Sequence, residues 1–317
     1  MEPIFMTPAL QDRIWGGQAL HTRFGLNLPS EHVGEAWVIS AHPNGESTIE
    51  RPKAYAGMTL SQLYAEHKEL FGPQASDTFP LLVKILDARD ALSVQVHPDD
   101  EYGLANEGEL GKAECWYFID ADPGATVVYG HTAKTREEFL EKVEAGDWKD
   151  LLIDVPVKAG DFLNVPAGQI HAVGKGTLIL ETQQNSDTTY RVYDYDRKDA
   201  DGNLRELHID KSADVTDFPT KENHFEKKVT RDGKSTITQY LEDVYFSVYG
   251  WDIQDETTIA LQKSYYLATV IEGSGEIKVN NQAYPLSIAD SFILPYGIDE
   301  VTVNGSMKLI VSNPENE

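Results

Sequence analysis

Apolar positions along this chain come mostly as short runs, and turn-forming residues cut nearly every run short. FPLLVKILDA, ALSVQVHP, ATVVYG, TLILETQQ, TYRVYDYD, YFSVYGWDI, YYLATVIEG and GEIKVN are of this kind, rich in Val, Ile, Leu, Thr, Tyr and Phe and punctuated by Gly, Pro, Asn and Asp. That pattern predicts strands. Helical spacing is rarer. AGMTLSQLYAEHKELFG, residues 56–72, sets Leu60, Leu63, Tyr64 and Leu70-Phe71 on one face, with Thr59 as N-cap. TREEFLEKVEAGD, residues 135–147, pairs Thr135 with Glu138 in capping-box spacing and stops at Gly146. The polar, weakly periodic segment 211–235 reads as a connection between two β units, one over residues 1–239 and one over 240–317. Many short strands with regular turns predict a mainly β fold, a sandwich or jelly roll with a few short helices.

Composition narrows the partners. A chain of 317 residues, 41% apolar, can bury a core in each of two domains. The net charge of −25 argues against nucleic acid and anionic membrane, which attract clustered Lys and Arg, but leaves room for a local basic pocket around a small anion. No apolar run approaches the roughly 20 residues of a membrane helix. The N-terminal stretch MEPIFMTPALQDRIWGG lacks the basic-then-apolar order of a signal peptide. Cys115 stands alone, so no intrachain disulfide forms. These features predict a cytoplasmic protein, monomeric or homodimeric.

Three stretches carry candidate chemistry. In ALSVQVHPDD, Gln95 and His97 share a strand face about 7 Å apart before Pro98 ends the strand. In GKAECWYFID, Glu114 opens an apolar strand, where an unpaired carboxylate would be costly. In GDFLNVPAGQIHAVGKG, the turn Pro166-Ala167-Gly168 delivers His171. A lone histidine is more often a core or surface residue than a ligand, and Gln-Val-His alone carries little. Together, however, the stretches resemble the two motifs of the cupin superfamily. The second motif fits throughout. The first has Gln95 where a histidine usually stands, and a longer gap to the glutamate.

The resemblance implies a jelly roll whose facing hairpins point Gln95, His97, Glu114 and His171 into the barrel. Such a donor set suits Zn²⁺ with room for water or substrate, and accepts Fe²⁺ or Mn²⁺. Residues 240–317 hold no histidine, yet Pro295-x-Gly297-x2-Glu300 repeats the Pro166-x-Gly168-x2-His171 spacing. This second unit resembles a cupin without a metal site, so the expected architecture is two cupin-type jelly-roll units.

The stretch TLILETQQNSDTTYRVYDYDR, 177–197, follows the second motif. Glu181 and Gln183 share one strand face, and Arg191, Tyr193 and Tyr195 share a face of the next strand. With Arg191 one strand over, Glu181 and Arg191 would flank the metal pocket. Adding WGG (15–17), GEAWVIS (34–40), QVHPDD (95–100), KAE (112–114) and PAGQIHAVGKG (166–176), nearly the whole chain resembles the type I mannose-6-phosphate isomerase family in its short bacterial form. Longer members commonly have proline at the position of Ala113, and differ after the Ser-Asp turn.

The family implies a zinc ion on Gln95, His97, Glu114 and His171, and interconversion of mannose 6-phosphate and fructose 6-phosphate through a cis-enediolate. Glu181 is the expected proton shuttle. Arg191 and Lys112 are the expected cations for the enediolate or the phosphate. Tyr193 and Tyr195 are expected to pack, as are Trp15 and Trp37. Two other readings remain open: a metal-dependent cupin oxygenase and a non-enzymatic sugar-binding cupin.

Overall fold

The computed structural model describes residues 1–317 except 74, 199–201, 222–224, 263 and 316–317. Its strands form three antiparallel sheets. A six-stranded sheet runs Phe162–Val165, Glu114–Ala121, Thr177–Gln184, Leu81–Ala88, Val33–Ile39, Ala9–Asp12. A five-stranded sheet runs Tyr190–Tyr193, Val94–Val96, His171–Ala172, Thr126–His131, Leu152–Pro156. The third sheet, ten-stranded, is built mainly from residues 228–314. The expected mainly β architecture of two cupin units with few helices is what the chain adopts.

Strand alternation builds the layers. On Glu114–Ala121, Cys115, Tyr117 and Ile119 join one core, while Trp116 and Phe118 join another. Thr177–Gln184 divides likewise, with Leu178 and Leu180 on one side and Ile179 on the other. The first core lies between the six-stranded sheet and the ten-stranded sheet, whose Phe246, Leu267 and Ile310 meet it. In the second, Trp116 and Phe118 pack with Val127 and Val173 from the five-stranded side, so these two sheets enclose a barrel interior. A separate core fills the C-terminal unit with Phe5, Trp251, Phe292 and Leu309.

The expected boundary at 239/240 falls inside one strand, Ser235–Glu242. Two N-terminal strands also cross it: Ile4–Thr7 pairs with Ser291–Leu294 and with Thr48–Arg51 in the ten-stranded sheet. The 211–235 segment is not a bare connection. It contains the end of helix Ile209–Val215 and strand Lys228–Asp232, while residues 222–224 lie outside the described set. That strand is exposed at every position, so it shows no apolar alternation to read. VIEGSGEIKV, residues 270–279, likewise belongs to one strand, Tyr266–Val279, which passes through Gly273 at φ +75.

The helices start where expected. Thr59 caps Leu60–Glu66 with a reciprocal Gln62 bond, and Thr135 caps Arg136–Ala145, which stops at left-handed Gly146. Only half of the second capping box forms. The Thr135 hydroxyl accepts from Glu138 N–H, but the Glu138 carboxylate accepts from Lys134 N–H instead of closing on Thr135. Among the described residues no helix is long and apolar enough to cross a membrane.

Candidate metal centre and active site

The turn at Pro166-Ala167-Gly168 does what its residues allow. Gly168 takes φ +82, and its N–H donates to His97 O at 3.0 Å, tying the turn to the other histidine's backbone. His171 then enters a two-residue strand opposite Gln95 and Tyr129, buried inside the barrel. His97 and Glu114 come from separate strand ends and meet it there. Glu114 Oε1 lies 3.3 Å from His171 Nε2, and Glu114 Oε2 lies 3.4 Å from His97 Nε2.

Both imidazoles are oriented from behind. His97 Nδ1–H donates to Thr188 O at 2.9 Å and His171 Nδ1–H to Gln169 O at 2.8 Å, so each Nε2 lone pair faces the centre. Burial, then the Lys112 ammonium, lowers the His97 pKa to about 3. Burial also lowers that of His171. Two neutral imidazole nitrogens and a carboxylate meeting at such distances are all acceptors, a set that suits a shared cation. The His97, Glu114 and His171 donor atoms all lie within 4.8 Å of one another, and this group could hold a metal ion. The half-buried Gln95 amide reaches the same centre, with Nε2 donating to His171 Nε2 at 3.3 Å.

Lys112 and Glu181 stand beside this group. The Lys112 ammonium donates to Glu114 Oε2 at 2.5 Å and to His97 Nε2 at 3.0 Å, and lies 3.8 Å from Glu181 Oε1. Burial opposes the charge on Glu114, but the Lys112 ammonium outweighs it and holds its pKa well below the usual carboxylate range. Burial likewise opposes the Lys112 charge, and Glu114 and Glu181 overcome it, raising that pKa. Glu181 is the odd member. Burial, then repulsion from Glu114, pushes it up to about 8 against the pull of Lys112.

Arg191 lines the same cavity of about 340 Å³, but not from beside Glu181. The Gln184-to-Tyr190 connection crosses between sheets: Glu181 sits in the six-stranded sheet and Arg191 in the five-stranded one, opposite Gln95. The expectation of adjacent strands is therefore corrected, because the hairpin spans the barrel rather than lying in one wall. Arg191 donates to Ser93 Oγ at 3.3 Å and to Glu206 O at 2.8 Å. Tyr193 packs as expected, stacked on Trp148 with centroids 4.2 Å apart. Tyr195 lies beyond the strand at φ +56, out of the shared face predicted for it.

Five further charged residues line the cavity and were missed in the sequence: Arg13, Glu35, Lys84, Asp187 and Arg205. Lys84, buried in the middle of Leu81–Ala88, pairs with Trp37 on one side and Glu181 on the other. Glu35 lies in the apolar strand Val33–Ile39, clasped by both ends of the Arg13 fork (3.1 and 3.0 Å) and by Trp37 Nε1 at 2.6 Å. The signal was available. A charge inside an apolar strand, the argument that singled out Glu114, applies equally to both.

Fold and site together define a two-cupin protein whose first barrel holds, among the described residues, a buried group that could take a metal ion. Residues 4–123 match the family described as phosphomannose isomerase type I, catalytic domain, and residues 236–314 match mannose-6-phosphate isomerase, cupin domain. The chain is 49% identical to the mannose-6-phosphate isomerase of Streptococcus mutans, covering 98% of both chains. It is also 49% identical to mannose-6-phosphate isomerase ManA of Bacillus subtilis, over 98% of this chain and 99% of that one. Among solved structures, mannose 6-phosphate isomerase from Bacillus subtilis superposes with a TM-score of 0.95 at 47% identity, over 98% of this chain and 99% of that one. The chain belongs to the type I mannose-6-phosphate isomerase family.

Proposed function

We propose that this protein interconverts D-mannose 6-phosphate and D-fructose 6-phosphate, with a zinc ion held by Gln95, His97, Glu114 and His171. The observation that carries this is the convergence of acceptors at His97, Glu114 and His171 beside the Lys112 ammonium and the Glu181 carboxyl, with Glu114, Lys112 and Glu181 lining one cavity. Two neutral imidazoles and a carboxylate suit zinc, with the Gln95 amide oxygen completing the set when its amide is turned. A metal held there would supply positive charge to polarise the sugar carbonyl and to offset the negative charge that develops on its oxygen.

The remaining work falls to the chain's own side chains. Moving a proton between C2 and C1 needs a group that can both take it and return it. Glu181, pushed up to about 8, is poised for both directions near neutral pH. Lys112 can donate to a substrate oxygen from its place between Glu114 and Glu181. Arg191, opposite Gln95, faces developing negative charge with donors to spare.

Five cations line this cavity (Arg13, Lys84, Lys112, Arg191, Arg205), although the chain's net charge is −25, which suits a phosphate ester. Arg13 spends its guanidinium on Glu35 and Asp12 O, whereas Arg205 grips Asp194 through Nε and Nη2 and keeps Nη1 for the phosphate. The test is a coupled assay of mannose 6-phosphate turnover before chelation, after it, and after metal is restored. Turnover should vanish and return with zinc. A metal-loaded protein that leaves mannose 6-phosphate untouched would sink the reading.

A further inference from the structure

Glu109 lies in the loop between helix Asp100–Asn106 and strand Glu114–Ala121, with its side chain 37% exposed. Its contacts run to the connection that leaves the neighbouring strand Thr177–Gln184. Oε2 accepts from three donors on a single turn: Ser186 Oγ at 3.2 Å, Asp187 N at 3.3 Å and Thr188 Oγ1 at 3.0 Å. Oε1 lies 3.5 Å from Nε2 of buried His42. His42 Nδ1 accepts from Asn44 N–H, which leaves Nε2 as the donor facing Glu109. Asn44 in turn donates to Asp187 Oδ2 at 2.9 Å, so the same loop grips the turn from a second side.

The clasped turn serves the site. The Thr188 carbonyl accepts the His97 Nδ1–H, and Asp187 lines the cavity. Hydrogen bonds behind a metal-binding histidine select its tautomer and ring orientation, and their loss weakens metal binding. A carbonyl can do this only if its own backbone is held. Here one carboxylate gathers donors from the residue bearing that carbonyl and from the two before it. A negative acceptor makes those bonds stronger than a neutral one would.

We propose that Glu109 is a positioning residue for the metal centre: by clasping Ser186–Thr188 it holds the Thr188 carbonyl against His97. This rests on His97 being a metal ligand, as proposed above.

The test is zinc affinity by competition with a chromophoric chelator, which does not require turnover. Glu109→Ala should weaken zinc binding on the order of 10-fold, and Glu109→Gln less, because an acceptor oxygen remains. Thr188→Val, which removes the hydroxyl but keeps the carbonyl, should act in the same direction. The double variant should be no worse than Glu109→Ala alone, since both act through one contact. Glu107→Ala is the control. Glu107 bonds Tyr190 and Lys211 but not the turn, and its loss should leave zinc affinity unchanged. Equal affinity in Glu109→Ala and wild type, strict additivity with Thr188→Val, or an equal loss in Glu107→Ala would overturn the proposal while leaving the metal centre intact. A wild-type protein that binds no zinc would overturn both.

Discussion

The two barrels carry the same turn and use it differently. Pro166-Ala167-Gly168 and Pro295-Tyr296-Gly297 both follow a four-residue strand, and their glycines sit at φ +82 and +89. Three residues on, His171 is buried among acceptors, whereas Glu300 is exposed at the head of strand Glu300–Pro314 and pairs with Ala260. The interiors explain the contrast. The C-terminal barrel is packed with apolar side chains such as Trp251, Phe292 and Val303. The N-terminal barrel keeps charges on its inward face and offsets their burial by pairing them. A Pro-x-Gly turn thus specifies a backbone, and the chemistry depends on what the barrel puts opposite it.

The comparison breaks most sharply at the residue after each turn. His171→Ala should abolish metal binding and cost several kcal/mol of transition-state stabilisation, roughly 10⁴-fold in turnover, read by metal analysis and the coupled assay. Next comes Glu181→Gln, expected to lower kcat on the order of 10³-fold. Glu181 acts as a base only when ionised, and its pKa is raised to about 8, so wild-type kcat/KM should climb as pH rises toward that value. A bound cation would draw the limb to lower pH, never higher. The limb should be absent in Glu181→Gln, and its persistence would assign the base to another group.

Arg191→Ala follows, with kcat lowered by a factor on the order of 10² to 10³ and the metal retained. Lysine there should rescue little, because the planar fork is lost. Unchanged kcat with a raised KM would instead make Arg191 a ground-state phosphate grip.

The glycines sharpen the comparison on a smaller scale. Alanine at either position adopts a left-handed backbone costing about 1–2 kcal/mol of stability. At 168 the new Cβ would also meet Asp217 and Val215 O at 3.1 Å, whereas at 297 the nearest atom is Met1 Cε at 3.4 Å. Gly168→Ala should therefore lose metal affinity as well as stability, and Gly297→Ala stability alone, measured by thermal unfolding and metal competition. Smallest of all is Glu300→Ala, which should change neither turnover nor metal content.

What the sequence determined by itself is local. Alternation marked which residues of Thr177–Gln184 share a face, because successive side chains on a strand point to opposite sides. Pro and Gly marked the turn that presents His171, and Thr59 and Thr135 marked helix starts, since each effect acts within a few residues. The three donors His97, Glu114 and His171 were legible because their stretches resemble the two cupin motifs, together with the cost of a buried carboxylate.

What only the tertiary structure decided is partnership. Alternation names a face but not the neighbour across it. Arg191 therefore could not be placed in the sheet of Gln95 rather than that of Glu181, nor Ile4–Thr7 beside Ser291–Leu294 nearly three hundred residues away. The destination of Glu138, the Arg13 fork on Glu35 and the four donors around Glu109 were equally hidden. Pairings between distant segments are settled by which sheets can bury their apolar faces against each other, and that choice belongs to the folded chain as a whole.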